Sequence, residues 1–186
     1  MARVLVTGSS GAIGRPACSE LRARGHFVRA FDLAPTPEVD EALTGDVADR
    51  EAVLRAAAGM EAVVHLAAVP VDAPLATLVG PNILGVHHVL EAAREHAVRR
   101  VVLASTIQTV GHLSRERRVT AADRAPGNHY ALTKTLAEDM AAMVSRRDAL
   151  SIVVARIAWM VRNPTEAKRM VELGAYDLYV SPRDTA

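Results

Sequence analysis

Arg3-Val4-Leu5-Val6-Thr7-Gly8-Ser9-Ser10-Gly11-Ala12-Ile13-Gly14 opens the chain with an apolar strand, a loop holding three glycines and the start of a helix pattern. A strand that ends in Gly-x-x-Gly-x-x-Gly and feeds a helix brings the N–H groups of the helix N-terminus close to a phosphate. Side chains at the close-approach positions would block a pyrophosphate, and Gly8, Gly11 and Gly14 remove them. Ser10, Ala12 and Ile13 present backbone to the same space. The spacing departs from the commonest dinucleotide fingerprint, Gly-x-Gly-x-x-Gly, so the placement between strand and helix decides the matter rather than the letters.

Outward from this loop, short apolar runs alternate with helix-patterned stretches. Strands are predicted at 3–6, 27–31, 62–66, 100–104 and 151–155, and crossover helices at 13–24, 51–58, 78–97 and 128–146. That alternation predicts an α/β fold, a Rossmann-type doubly wound parallel sheet with helices on both faces. Pro35 and Pro37 follow the second strand, and Pro70, Pro74 and Pro81 mark loop on the approach to helix 78–97. Residues 163–166 read as a turn into a short helix at 167–173. The whole is expected to be one domain, 1–186, with 157–186 a short substrate-side segment.

Composition removes several function classes. Of the 186 residues half are hydrophobic and 23% charged, as in an ordinary globular protein, while only 3% are aromatic, so aliphatic side chains must fill the core. A net charge of +1 gives no electrostatic footprint for nucleic acid. The lone Cys18 excludes an internal disulfide and is expected as a small core residue of a helix. No long apolar segment or leader stands before the first strand, so no membrane contact and a cytoplasmic location are expected. His88, Glu91, Glu95 and His96 lack the His-Glu-x-x-His spacing and are expected on a solvated helix face, with no metal.

Three further positions carry chemistry. Asp32 ends the second strand, where a carboxylate meets the ribose 2′-hydroxyl of a dinucleotide and repels a 2′-phosphate; this favours NAD, with Arg15 leaving NADP open. Tyr130-Ala131-Leu132-Thr133-Lys134 sets a phenol and an ammonium one helical turn apart, and the cation would lower the phenol pKa toward use as a base. Ser105 and Thr106 stand at a strand's carboxyl end, where open α/β sheets bind ligands. A hydroxyl there can hold a substrate oxygen or satisfy local backbone.

Taken together, Thr7 to Gly14, Asp32, Gly45-Asp46-Val47, His65-Leu66-Ala67-Ala68, Asn82, Ser105-Thr106 and Tyr130-x-x-x-Lys134 resemble the extended short-chain dehydrogenase/reductase family of NAD-dependent epimerases and dehydratases. The resemblance implies NAD held by the glycine loop and Asp32, with Asp46 and Val47 beside the adenine, Ala67 and Ala68 behind the pyrophosphate and nicotinamide ribose, and Leu66, Asn82, Tyr130 and Lys134 also binding the cofactor. It implies Tyr130 as acid/base, Lys134 as its modulator, Thr106 with Ser105 in reserve on the reacting oxygen, and a homodimer through the helices beginning near Leu78 and Asn128.

Within the family, Pro81-Asn82-Ile83-Leu84-Gly85, Thr109-Val110-Gly111 and Val154-Ala155-Arg156-Ile157 are similar to the uronate dehydrogenases, which oxidise a hexuronic acid to a lactone. This sequence departs from them at Thr106-Ile107-Gln108, Pro70 and Trp159, around the substrate. Gln108 and His112 are placed beside the substrate by position, and Arg169, or Lys168, is the candidate clamp for a carboxylate. The expectation is an NAD-dependent oxidoreductase acting on a sugar or sugar acid. A nucleotide-sugar epimerase or dehydratase would need a larger C-terminal domain, and a shortened NAD-binding relative without turnover is the third alternative.

Overall fold

The apolar runs become strands, and the inner ones, β1 and β5 above all, are buried along most of their length. The computed structural model describes residues 1–114, 116, 118–161, 164–172 and 179–185. Its main sheet comprises β1 (Arg3–Thr7), β2 (Phe27–Asp32), β3 (Glu41–Thr44), β4 (Ala62–His65), β5 (Arg100–Thr106) and β6 (Ser151–Ile157). All pairings are parallel and the order is β3-β2-β1-β4-β5-β6. Helices α1 (Gly14–Ala23), α2 (Arg50–Ala57), α4 (Gly85–Glu95) and α5 (His129–Asp148) are the crossovers. Short α3 (Leu75–Leu78) precedes α4.

Alternate strand residues feed two cores. Leu5, Phe31, Val63, Val101 and Leu103 pack with Val53, Val89 and Ala137 of α2, α4 and α5. Val4, Val6 and Val28 pack with Cys18 of α1 on the opposite face. Cys18 is buried as expected, and burial pushes its thiol up to about 11. Asp49 caps α2 by accepting from Ala52 N–H, and Asn128 caps α5 by accepting from Ala131 N–H at 2.7 Å. Each such cap stabilises a helix start by about 1 kcal/mol.

Three expectations change. β3 was not expected, because a four-residue edge strand with only two apolar residues gives little periodic signal. The proline-marked approach to the third crossover is helical rather than loop from Leu75, through α3 and a π-helical stretch at Val79–Leu84 that encloses Pro81. Proline donates no hydrogen bond, and the wider turn accommodates the break before α4. The turn expected at 163–166 is instead the start of α6 (Pro164–Glu172), with proline at a helix's first position; Asn163 lies outside the described residues. Beyond β6 lie a parallel pair, β7 (Trp159–Met160) and β8 (Tyr179–Val180), and α7 (Pro182–Thr185), which packs on α1.

Of the four histidine-helix residues Glu95 is exposed as expected, while His88, Glu91 and His96 are half-buried. His88 Nδ1 lies 3.0 Å from Val47 O, His96 Nε2 lies 3.0 Å from Leu54 O, and Glu91 accepts from Arg50. Most of this face is spent stitching α4 to α2 and the chain before it. Among the described residues no group of three metal-ligating side chains converges.

Candidate active site

The chain runs from β1 outward through β2 and β3, then returns to place β4 on the other side of β1. That reversal opens a crevice at the carboxyl ends of β1 and β4, the place where open α/β sheets bind ligands. A cleft of about 500 Å³ lies there, lined by the glycine loop, Asp32, Asp46, Val47, Leu66, Ala67 and Ala68 among others. Residues far apart in sequence thus meet as expected. A larger groove of about 700 Å³ lies between α1 and residues 36–40, away from this chemistry, and its Arg22 is already matched by Asp40 at 3.4 Å.

The glycines are required by close approach. Gly8 has φ +71°, and a Cβ there would stand 2.5 Å from Ala67 N; a Cβ on Gly14 would run into Gly8 O and Ser9. Gly14→Ala is therefore expected to destabilise the fold by about 1–3 kcal/mol, the range for overpacking a tight site, as read by the urea midpoint. Helix α1 has no side-chain cap at its N-terminus; Arg15 N–H is bonded to Gly11 O, Ala17 N–H to Ile13 O, and Pro16 has no N–H, so within the first turn the Gly14 N–H is left for an anion. Asp32 completes the loop by accepting from Ser10 N–H at 3.0 Å and from Ala34 N–H. Arg15 Nε donates to Ser10 O. A glycine loop packed too closely for a Cβ at Gly8 or Gly14, a helix start without a side-chain cap and a carboxylate at the end of β2 fit a dinucleotide.

The second group sits where β5 meets α5. Tyr130 and Lys134 are both buried, at 8% and 4% exposure. Lys134 Nζ donates to Ala104 O at 3.0 Å and lies 5.9 Å from the centre of the Tyr130 ring. Burial brings its ammonium down to about 8, which still leaves it mostly charged at pH 7. Thr106 is buried at the end of β5 and its Oγ1 accepts from Gln108 N–H. Asn128 donates to Gln108 Oε1, tying the start of α5 to the turn after β5.

Two expected site residues are turned elsewhere. Ser105 alternates to the α5 side of β5 and donates to Glu138 Oε1 at 2.5 Å, which takes its hydroxyl out of the site. Asn82 is fully buried behind the cleft wall: its Oδ1 accepts from Val69 N–H, and its Nδ2 donates to Val69 O and Thr133 Oγ1. Its amide is spent inside the protein and holds the cleft wall to α5. His112 is exposed, and its ring lies against Gly127. Lys168 is exposed on α6, while the Arg169 side chain lies outside the described residues.

His65 is more than the end of a strand, though nothing in its sequence neighbourhood signals it. Its Nδ1 lies 2.7 Å from Thr7 Oγ1, which also accepts from Ala67 N–H, while its Nε2 has no hydrogen-bond partner among the described residues. Burial, with Lys134 nearby, brings the imidazole down to about 3. Glu138 and Arg156 were also missed as a pair. The available signal was the spacing 130, 134, 138, which lines one helix face.

The fold and cleft define a Rossmann-type dinucleotide-binding protein. Residues 4–165 match the model of the NAD dependent epimerase/dehydratase family, and the chain belongs to that family. It is 34% identical over 180 residues to the uronate dehydrogenase of Pseudomonas syringae pv. tomato, covering 94% of this chain and 66% of that protein. It is 29% identical to an L-arabinose 1-dehydrogenase (NAD(P)(+)) of Haloferax volcanii, covering 99% and 79%. A mutant uronate dehydrogenase of Agrobacterium tumefaciens, solved in complex with NAD, superposes with a TM-score of 0.82 at 30% identity over 88% of this chain and 63% of that one. The chain spans about two thirds of the length of the uronate dehydrogenases it resembles.

Proposed function

We propose that this chain is an NAD-dependent oxidoreductase that moves a hydride between a sugar or sugar-acid hydroxyl and nicotinamide. The observation that carries the proposal is the buried Tyr130–Lys134 pair on α5, held by Lys134 to Ala104 O near the carboxyl end of β5. The sugar class is supported by the uronate and arabinose dehydrogenases among its relatives. NAD, when bound, supplies the hydride acceptor. Gly8, Ser10, Gly11, Ala12, Ile13 and Gly14 would hold its pyrophosphate, Asp32 its adenosine ribose, and Asp46 with Val47 its adenine.

The chain's own groups handle the proton. Thr106 positions the reacting hydroxyl, and Tyr130 takes its proton as the carbon is oxidised, or returns it in reduction. The Lys134 ammonium favours the phenolate through its charge. Gln108 is the described candidate for a substrate contact, with Arg169 as the candidate clamp for a carboxylate. A homodimer is supported by Leu132, Leu136 and Met143, which share one face of α5 and are 37%, 41% and 47% exposed. Cytoplasmic residence fits a chain whose single cysteine, Cys18, is buried and free.

The test is to incubate the protein with NAD, and separately NADP, against uronic acids, aldoses and small secondary alcohols while following reduced nicotinamide. Turnover with a sugar or sugar acid is expected; turnover confined to simple alcohols would displace the substrate assignment. Asp32→Ala removes the acceptor of Ser10 N–H and the charge at the ribose position. It is expected to weaken NAD about tenfold or more and narrow the preference over NADP, read as the ratio of dissociation constants. An unchanged ratio would remove Asp32 from cofactor selection.

A further inference from the structure

Residues 130, 134 and 138 fall on successive turns of one face of α5, and the last two both hold the end of β5. Lys134 donates to Ala104 O, and Glu138 accepts from Ser105 Oγ, the next residue along the strand. Glu138 is 4% exposed and receives more than the serine. Arg156 donates to both its oxygens, from Nε at 2.9 Å and Nη2 at 2.8 Å, and Arg124 Nη2 lies 2.9 Å from Oε2. Burial alone would raise the Glu138 carboxyl, but its bonds from Arg156 and Ser105 hold it below the ordinary range, so it is ionised.

The hub reaches three other pieces of the molecule. Ser105 and Arg156 are paired neighbours on β5 and β6, so both side chains meet α5 from the sheet. Arg156 also donates from its Nη groups to the carbonyls of Thr120, Ala121 and Asp123, and Arg124 donates to Ala121 O and Asp123 O. One buried carboxylate thereby joins α5, both strand ends and the 120–124 loop. A bidentate guanidinium–carboxylate pair has a fixed geometry that a hydrophobic contact would not impose.

We propose that Glu138 is a positioning residue: through Ser105 and Arg156 it sets the axial register of α5 on the sheet, and so the place of Tyr130 and Lys134 relative to Thr106. The proposal rests on the oxidoreductase assignment for its catalytic consequence and on geometry alone for its structural one. A displacement of about 1 Å at reacting groups is enough to lower a rate by about a hundredfold. Substitution at Glu138 therefore acts on turnover while the glycine loop, held by β1 and Asp32, keeps its nucleotide.

The test compares Glu138→Gln and Glu138→Ala with Val144→Ala, a buried position on the same helix with no polar role. NAD affinity, kcat, KM and the pH titration of Tyr130 by ¹³Cζ-tyrosine NMR are measured below the melting transition of every variant, with Tyr130→Phe giving the assignment. Glu138→Gln is expected to lower kcat about tenfold or more and Glu138→Ala further, with KM and NAD affinity within about twofold. The Tyr130 midpoint should rise by about half a unit or more as Lys134 shifts away. Val144→Ala should lose stability with none of these effects. If Val144→Ala and Glu138→Gln change turnover and the tyrosine signal alike, or neither moves the signal, the positioning role is overturned. Were the wild type to turn over no substrate, the oxidoreductase assignment would fail, and the Tyr130 signal would still decide the register proposal.

Discussion

Tyr130→Phe is expected to lower turnover about a thousandfold while leaving NAD affinity within about twofold. The substitution removes one hydroxyl from a ring that is 8% exposed, and it leaves the α5 cap at Asn128 and the Lys134 bond to Ala104 in place. The cleft-lining residues from Gly8 to Ala68 are untouched, so binding persists. On the proposed mechanism what is lost is the group that exchanges a proton with the substrate, and a positioned acid/base contributes about 10²–10⁴ in rate. Steady-state kinetics and calorimetric NAD titration of the two proteins check both halves. A variant that keeps a tenth of the wild-type rate would assign the proton to another group.

Acid is expected to unfold the protein through His65. Burial and the Lys134 charge hold the folded imidazole neutral to about pH 3, whereas in the unfolded chain it protonates near 6.5. Between those values the unfolded state binds more protons, so stability is fully present above pH 6.5 and falls as pH is lowered. The difference amounts to roughly 5 kcal/mol over the full window, at about 1.4 kcal/mol per unit. Glu138 adds a loss of the same sign, but only as pH drops through and below the ordinary carboxylate value of 4.5. The interval from pH 6.5 to 4.5 therefore isolates His65. Urea unfolding at those two pH values should show a loss of about 2–3 kcal/mol in the wild type and a much smaller one in His65→Asn. Equal slopes in the two proteins would show that the imidazole titrates in the folded state or that other groups dominate.

The nucleotide half of the site was legible because it is made of consecutive residues whose types are dictated by backbone geometry. Gly8 at positive φ and Gly14 against Gly8 O admit no Cβ, and Asp32 stands at a strand end that periodicity locates. The half built by side chains crossing between elements was not. Ser105 and Thr106 are adjacent hydroxyls in sequence, and only the strand's alternation sends one to Glu138 and leaves the other at the end of β5. Asn82 belongs to a π-helical turn that no spacing rule announces, so its contacts with Val69 and Thr133 were hidden. Arg156 joins Glu138 across a β-strand and a helix, a pairing visible only once the register of β5 with β6 is known. β3 escaped because an edge strand needs few apolar residues.

The most direct test of hydride transfer is to supply the protein with NAD and C1-deuterated uronates and aldoses, then weigh the nicotinamide product by mass spectrometry. Deuterium in the reduced nicotinamide, absent when Tyr130→Phe is used, is the predicted result. Bound NAD with no label from any of these sugars would contradict the account.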